Sequence, residues 1–155
     1  MRGFLFLLVF AALSAIAPPA GAAMTVQEVV SPGGIRAWLI EDHGNPILSL
    51  SLEFRGGSVT DPVGKEGRAE FVSAMLDEGA GDLDSAAFQQ RLADMAVDLS
   101  FGSSQDSFGG QLRTLTEHRD AAFDLLRLAL TRPRFDEAPL ERMRAPVIDG
   151  KKTVF

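Results

Sequence analysis

Between Ile47 and Phe54 every second residue is apolar: Leu48, Leu50, Leu52 and Phe54 share one face, and Ser49, Ser51 and Glu53 the other. A period of two over such a run predicts a strand with one face buried and one in water. The segments around it alternate between sheet and helix. Val26–Val30 reads as a strand, Ser31-Pro32-Gly33-Gly34 as a turn and residues 35–41 as the returning strand of a hairpin. Beyond Gly56-Gly57 and the loop Asp61-Pro62-Val63-Gly64, a first helix carries Val72, Met75 and Leu76, with Gly79 expected to cap its end. A second helix fits residues 85–96, with Asp84 or Ser85 at its N-cap and Phe88, Leu92, Met95 and Ala96 at helical spacing. Strands at Asp98–Ser103 and Ser107–Leu115 flank the polar turn Ser104-Gln105-Asp106. A third helix over residues 116–130 is expected to turn Phe123, Leu126 and Leu130 inward and to stop at Arg132-Pro133. A last helix begins after Asp136, carries Leu140 and Met143, and is expected to end at Pro146.

Strands come first, then helices alternate with strands, and the hairpins imply antiparallel pairing. The fold class is therefore α+β, an antiparallel sheet with helices packed on one side. Residues 25–145 are read as one domain and residues 146–155 as an irregular tail. The N-terminus is set apart: Met1 and Arg2 precede an uncharged apolar run over residues 4–17, then Pro18-Pro19 and the small residues Ala20-Gly21-Ala22. That is the pattern of a secretory signal over residues 1–22, too short for a stable membrane span, and it predicts export to a bacterial periplasm.

Export gives weight to the absence of cysteine, because neither disulfides nor thiolate metal sites can hold this chain together. Packing must do so. Cleaving residues 1–22 removes one of 15 basic residues and none of the 21 acidic ones, so the formal charge of −6 becomes more negative still. An acidic chain without a basic cluster argues against nucleic acid as a partner. No Gly-x-Ser-x-Gly elbow, Walker loop or dinucleotide fingerprint occurs, and Gly102-Ser103-Ser104 and Gly109-Gly110 read as strand ends and close packing. The two histidines, His43 in a loop and His118 at a helix start, lack the spacing of a ligand pair.

The stretch Gly57-Ser58-Val59-Thr60-Asp61-Pro62-Val63-Gly64-Lys65-Glu66-Gly67-Arg68-Ala69-Glu70-Phe71-Val72-Ser73-Ala74-Met75-Leu76 resembles the entry to the inverzincin helix of pitrilysin/insulinase-type zinc peptidases, the processing-peptidase-like family. Ile35-Arg36-Ala37-Trp38-Leu39-Ile40-Glu41-Asp42 resembles that family's second strand, residues 88–108 its helix and strand pair, and Pro133-Arg134-Phe135 the exit of its following helix. The resemblance implies the fold of that family's N-terminal domain, here apparently incomplete. In active members the helix carries H-x-x-E-H, two histidines on one face to bind zinc and a glutamate as general base.

Aligned on Gly67 and on Met75-Leu76, Glu70 and Ala74 stand where the histidines belong and Ser73 where the base belongs. Alanine donates nothing to a metal, and a serine hydroxyl is too weak a base to replace a carboxylate. The family's third ligand falls around residues 149–151, and no glutamate follows Glu141. Arg68, where the family has an apolar residue, is a further departure. The resemblance therefore implies a homologue without catalytic residues, without a metal site and without a cofactor where active members hold zinc. Such a homologue pairs with a zinc-bearing subunit or with itself, and binds extended peptides along the edge strand Leu99, Ser100, Phe101, Gly102 and Ser103. The alternatives are a truncated structural remnant without a peptidase partner, and a family protein that keeps a residual metal contact at Glu70.

Overall fold

The computed structural model describes residues 25–148, so the signal-like segment and the stretch around residues 149–151 lie outside the described residues. The chain divides into two compact units at Gly44 and Asn45. In the first, β1 (Val26–Val30) and β2 (Arg36–Ile40) form an antiparallel hairpin with Val26 opposite Ile40 and Val30 opposite Arg36. Ser31 closes its turn twice: its N–H donates to Ile35 O at 2.8 Å, and its Oγ accepts from Ile35 N–H at 3.0 Å. Gly34 takes the left-handed φ of +83° that the turn requires. Every strand residue of the hairpin is exposed, Trp38 at 84%.

The second unit is built on a three-stranded antiparallel sheet in the order β3 (Ile47–Arg55), β5 (Ser107–Leu115), β4 (Asp98–Ser103). β3 runs along β5 from Ile47 opposite Leu115 to Arg55 opposite Ser107, and β4 pairs with β5 from Asp98 opposite Arg113 to Ser103 opposite Phe108. Alternation sends Leu50, Leu52, Leu99, Phe101 and Leu112 to one face, where they join the core, and Ser49, Ser51, Glu53, Gln111 and Arg113 to the solvent face. The helices cover the apolar face. They are α1 (Arg68–Met75), α2 (Ser85–Asp94), α3 (Arg119–Thr131) and α4 (Glu137–Ile148).

The placement of α1 is set by a residue before it. Gly67, at its N-cap, has no side chain to receive the free amides, and the buried carboxylate of Asp61 does this instead. Its Oδ2 accepts from Gly67 N–H at 2.9 Å and its Oδ1 from Ala69 N–H at 3.0 Å. Two donors that the helix leaves orphaned are thereby satisfied. At the other end α1 stops at Met75, with Leu76 as its C-cap, so Gly79 does not cap it. Gly79 instead makes the turn into α2: its φ is +116°, and a Cβ there would lie 3.0 Å from the backbone nitrogen of Ser85. Gly79 O and Gly81 N–H bond to Arg134 N–H and Arg132 O, which ties this turn to the Pro133-Arg134-Phe135 exit of α3.

Helix α2 opens on Asp84, whose Oδ1 accepts from Ala87 N–H at 2.8 Å, and buries Phe88 and Leu92. It ends at Asp94 rather than at Ala96, because Ala96 takes a left-handed φ of +49° and Val97 N–H closes back onto Leu92 O at 2.9 Å. A 3₁₀ turn over Thr116–His118 precedes α3, and the inward residues of α3 are Ala122, Leu125, Leu126 and Ala129. Phe123, expected inside, is 40% exposed, and Leu130 is half-buried. The two alanines let the helix approach the sheet, and Phe123, one residue round from Ala122, falls at the side of the stripe. Helix α4 runs through Pro146 to Ile148, so residues 146–148 are helical rather than irregular. Proline forfeits one donor there, but its fixed φ is itself helical.

Two stability measurements check this architecture by urea denaturation of the purified chain. Phe88→Ala should cost about 3–5 kcal/mol because Phe88 is fully buried, whereas Phe123→Ala should cost under about 1.5 kcal/mol. Asp61→Ala should cost about 1–3 kcal/mol by orphaning two amides at the start of α1; an unchanged midpoint would remove Asp61 from its capping role.

Candidate functional site

Helix α1 packs across β4 and carries Glu70, Ser73 and Ala74, the residues that the resemblance aligns with the zinc helix. Ser73 and Ala74 are buried, at 3% and 0% exposure. The Ser73 hydroxyl is consumed within the helix, donating to the carbonyl of Glu70 at 2.7 Å. It is neither free nor paired with a base. Glu70 is half-buried in the first turn of α1, and its Oε2 accepts from the Ser103 hydroxyl at 3.2 Å. This bond joins α1 to the end of β4. Glu70 thus stands over a strand end rather than facing open solvent.

Arg68 is turned toward the capping loop. Its Nε lies 3.7 Å from Asp61 Oδ1, and its guanidinium donates to Thr60 O at 3.1 Å. The charged residue that departs from the family pattern therefore braces the start of the helix. In the same loop the N–H of Gly64 donates to Glu66 Oε1 at 2.9 Å, and this bond holds the Glu66 carboxyl below its ordinary range.

β4 is an edge strand. It pairs only with β5 among the described residues. Its hairpin with β5 is closed by Ser104 N–H donating to Ser107 O at 2.8 Å, and an antiparallel ladder alternates between residues that bond to the partner and residues that point away. Gly102 and Ser100 therefore bond to β5, while the N–H and C=O groups of Leu99, Phe101 and Ser103 point outward. The side chains of those three residues turn toward the helices and are buried, at 6%, 5% and 6% exposure. All five residues of the expected peptide edge lie in this strand, and three of them offer backbone groups to a further strand.

The glycine pair on β5 serves packing. A Cβ on Gly110 would sit 2.8 Å from the Phe101 ring, and one on Gly109 would sit 2.9 Å from Leu52 O. On the solvent face the missing side chains of Gly109 and its partner Gly102 leave a shallow depression of about 230 Å³ bordered by Ser51, Glu53 and Gln111. Each histidine faces a glutamate close to it in sequence. His43 Nε2 is 3.6 Å from Glu41, and His118 Nε2 is 3.8 Å from Glu117. Among the described residues no three His, Cys, Asp or Glu side chains are grouped to hold a metal ion, and no helix is long and apolar enough to cross a membrane.

One ionic cluster around a buried carboxylate was not anticipated from the sequence. Glu78, 7% exposed, accepts from Ser85 Oγ at 2.6 Å and from the Arg142 guanidinium, which also donates to Ser85 Oγ at 3.2 Å. It joins the segment after α1, the start of α2 and the middle of α4. Only the i,i+7 spacing of Glu78 and Ser85 is local, and Arg142 lies 64 residues from Glu78, so no sequence period marks the group.

A Pseudomonas fluorescens structure described as a peptidase M16 inactive domain superposes with a TM-score of 0.73 at 27% identity, over 82% of this chain and 31% of its own. A Helicobacter pylori protein described as the non-peptidase homolog YmxG is 29% identical over 108 residues, which is 70% of this chain and 25% of that protein. The chain thus spans about a quarter of the curated relative and about a third of the solved one. The sequence model of the family described as insulinase, peptidase family M16, matches residues 36–151, from the second strand of the hairpin past the end of α4. By that match, over well more than half its length, the chain belongs to the insulinase (M16) peptidase family.

Proposed function

We propose that this chain is a non-catalytic M16 homologue that works in the periplasm as the partner of a zinc-bearing homologous subunit and holds extended peptide along β4. The observation that carries this reading is the state of α1. Ala74 occupies the second histidine position, and Ser73, at the base position, spends its hydroxyl on the Glu70 carbonyl. Neither residue can hold a metal or activate a water. The edge beside α1 is independent of that loss, because added-strand pairing uses backbone groups and needs no metal.

Other features support parts of this reading. The non-peptidase description of the Helicobacter relative and the inactive description of the Pseudomonas domain agree with a chain that binds without cleaving. The uncharged run over residues 4–17 followed by Ala20-Gly21-Ala22 supports export. The exposed apolar side chains of the hairpin, Val26, Val30, Trp38 and Ile40 among them, are of the kind that a subunit contact covers.

Two measurements test the proposal. The purified chain, incubated with zinc and desalted, should retain no stoichiometric metal and should leave unstructured peptides intact; absence of the general base alone costs a peptidase about 10²- to 10⁴-fold in rate. One tightly held zinc per chain with chelator-sensitive cleavage would overturn the non-catalytic reading. A fluorescein-labelled extended peptide of threonine and valine should bind, and Ser103→Pro should weaken it about fivefold or more by deleting one outward N–H. Equal affinity in a Ser103→Pro variant with unchanged circular dichroism would move the peptide away from β4.

A further inference from the structure

Taking β4 as the peptide-binding edge, we infer that Glu70 selects for a lysine or arginine in the bound peptide, at the residue that pairs with Ser103. The selection rests on the added-strand reading and follows from where the edge places side chains. Residues directly opposite one another in neighbouring strands point to the same face of the sheet, with Cβ atoms about 4.5–5.5 Å apart. Ser103 points to the helical face, and its hydroxyl already touches the Glu70 carboxylate at 3.2 Å. A peptide residue opposite Ser103 therefore directs its side chain to the same carboxylate. Lysine and arginine have the length to reach it.

The carboxylate is left without a cation by its own surroundings. Among the described residues Glu70 forms no ion pair, and Arg68, two residues away on the same helix, is held on Asp61 and Thr60 instead. Its hydrogen-bond donor is the Ser103 hydroxyl, which satisfies Oε2 and leaves Oε1 for a further donor. Half-burial strengthens a charge-assisted bond relative to one in open solvent. An apolar peptide side chain at the same point would desolvate the carboxylate without replacing its water, and an acidic one would meet like charge. Glu70 thus discriminates in both directions.

The test compares two labelled threonine–valine peptides, one with a central lysine and one with norleucine in its place, by fluorescence anisotropy against the full chain. The lysine peptide should bind about five- to tenfold more tightly. In Glu70→Gln, which still accepts from Ser103, the two affinities should converge, and in Glu70→Lys a glutamate peptide should become the preferred one. Glu53→Gln removes the same charge from the solvent face of the sheet and should leave the lysine preference intact, which separates local pairing from the attraction of a basic peptide to an acidic chain. Equal affinities for the two peptides in the unmodified chain, with Ser103→Pro still weakening both, would overturn the role of Glu70 and spare the edge. A preference that persists in Glu70→Gln would likewise overturn it. Binding of neither peptide would remove the edge reading and this selection together.

Discussion

The two hydrogen bonds from Gly67 and Ala69 to the Asp61 carboxylate decide where α1 begins, and most of what is distinctive about this domain depends on that start. A helix of eight residues gains little from propensity alone and needs its ends fixed by other parts of the chain. Asp61 fixes the first turn, and Arg68 closes over it toward Thr60. With the first turn placed, Glu70 reaches Ser103 and the buried run from Ser73 to Leu76 enters the core between the sheet and the other helices. The far end is fixed by Glu78 with Ser85 and Arg142, so both ends of the α1 segment are held by charges paired with donors rather than by apolar contact alone.

This arrangement holds α1 in place through its capping loop and its own side chains. Two of the residues that the resemblance aligns with the zinc helix, Ser73 and Ala74, are small and buried, and they pack. Ser73 and Ala74 fill space next to β4, and Glu70 bonds helix to strand through the Ser103 hydroxyl. The backbone edge beside them does not depend on these side chains, because the outward groups of Leu99, Phe101 and Ser103 are set by the β4 and β5 register.

Much of the second unit was legible before the structure. The alternation of Leu48, Leu50 and Leu52 places β3, and the two strands around Ser104-Gln105-Asp106 have the limits that their pattern predicts. Asp84 caps α2 through a local bond of the kind that sequence spacing reveals. Where the reading failed, neighbours outside the local window decided. The expected face of Phe123, Leu126 and Leu130 turns Phe123 inward, yet Ala122, Leu125, Leu126 and Ala129 take the buried positions. Gly79 resembles a helix cap, but its left-handed backbone serves the approach to Ser85 and Leu83.

The sequence alone determined the fold class and the order and most of the limits of the strands and helices. These are properties of period, turn chemistry and residue type, and each is carried within a few neighbouring positions. Only the tertiary structure decided that Asp61 caps α1, that Glu70 bonds to Ser103 across 33 residues, and that Leu99, Phe101 and Ser103 rather than Ser100 and Gly102 turn their backbone groups to the open edge. Those facts depend on packing angles and on ladder register between distant segments, and a one-residue shift in register would exchange the two sets of groups.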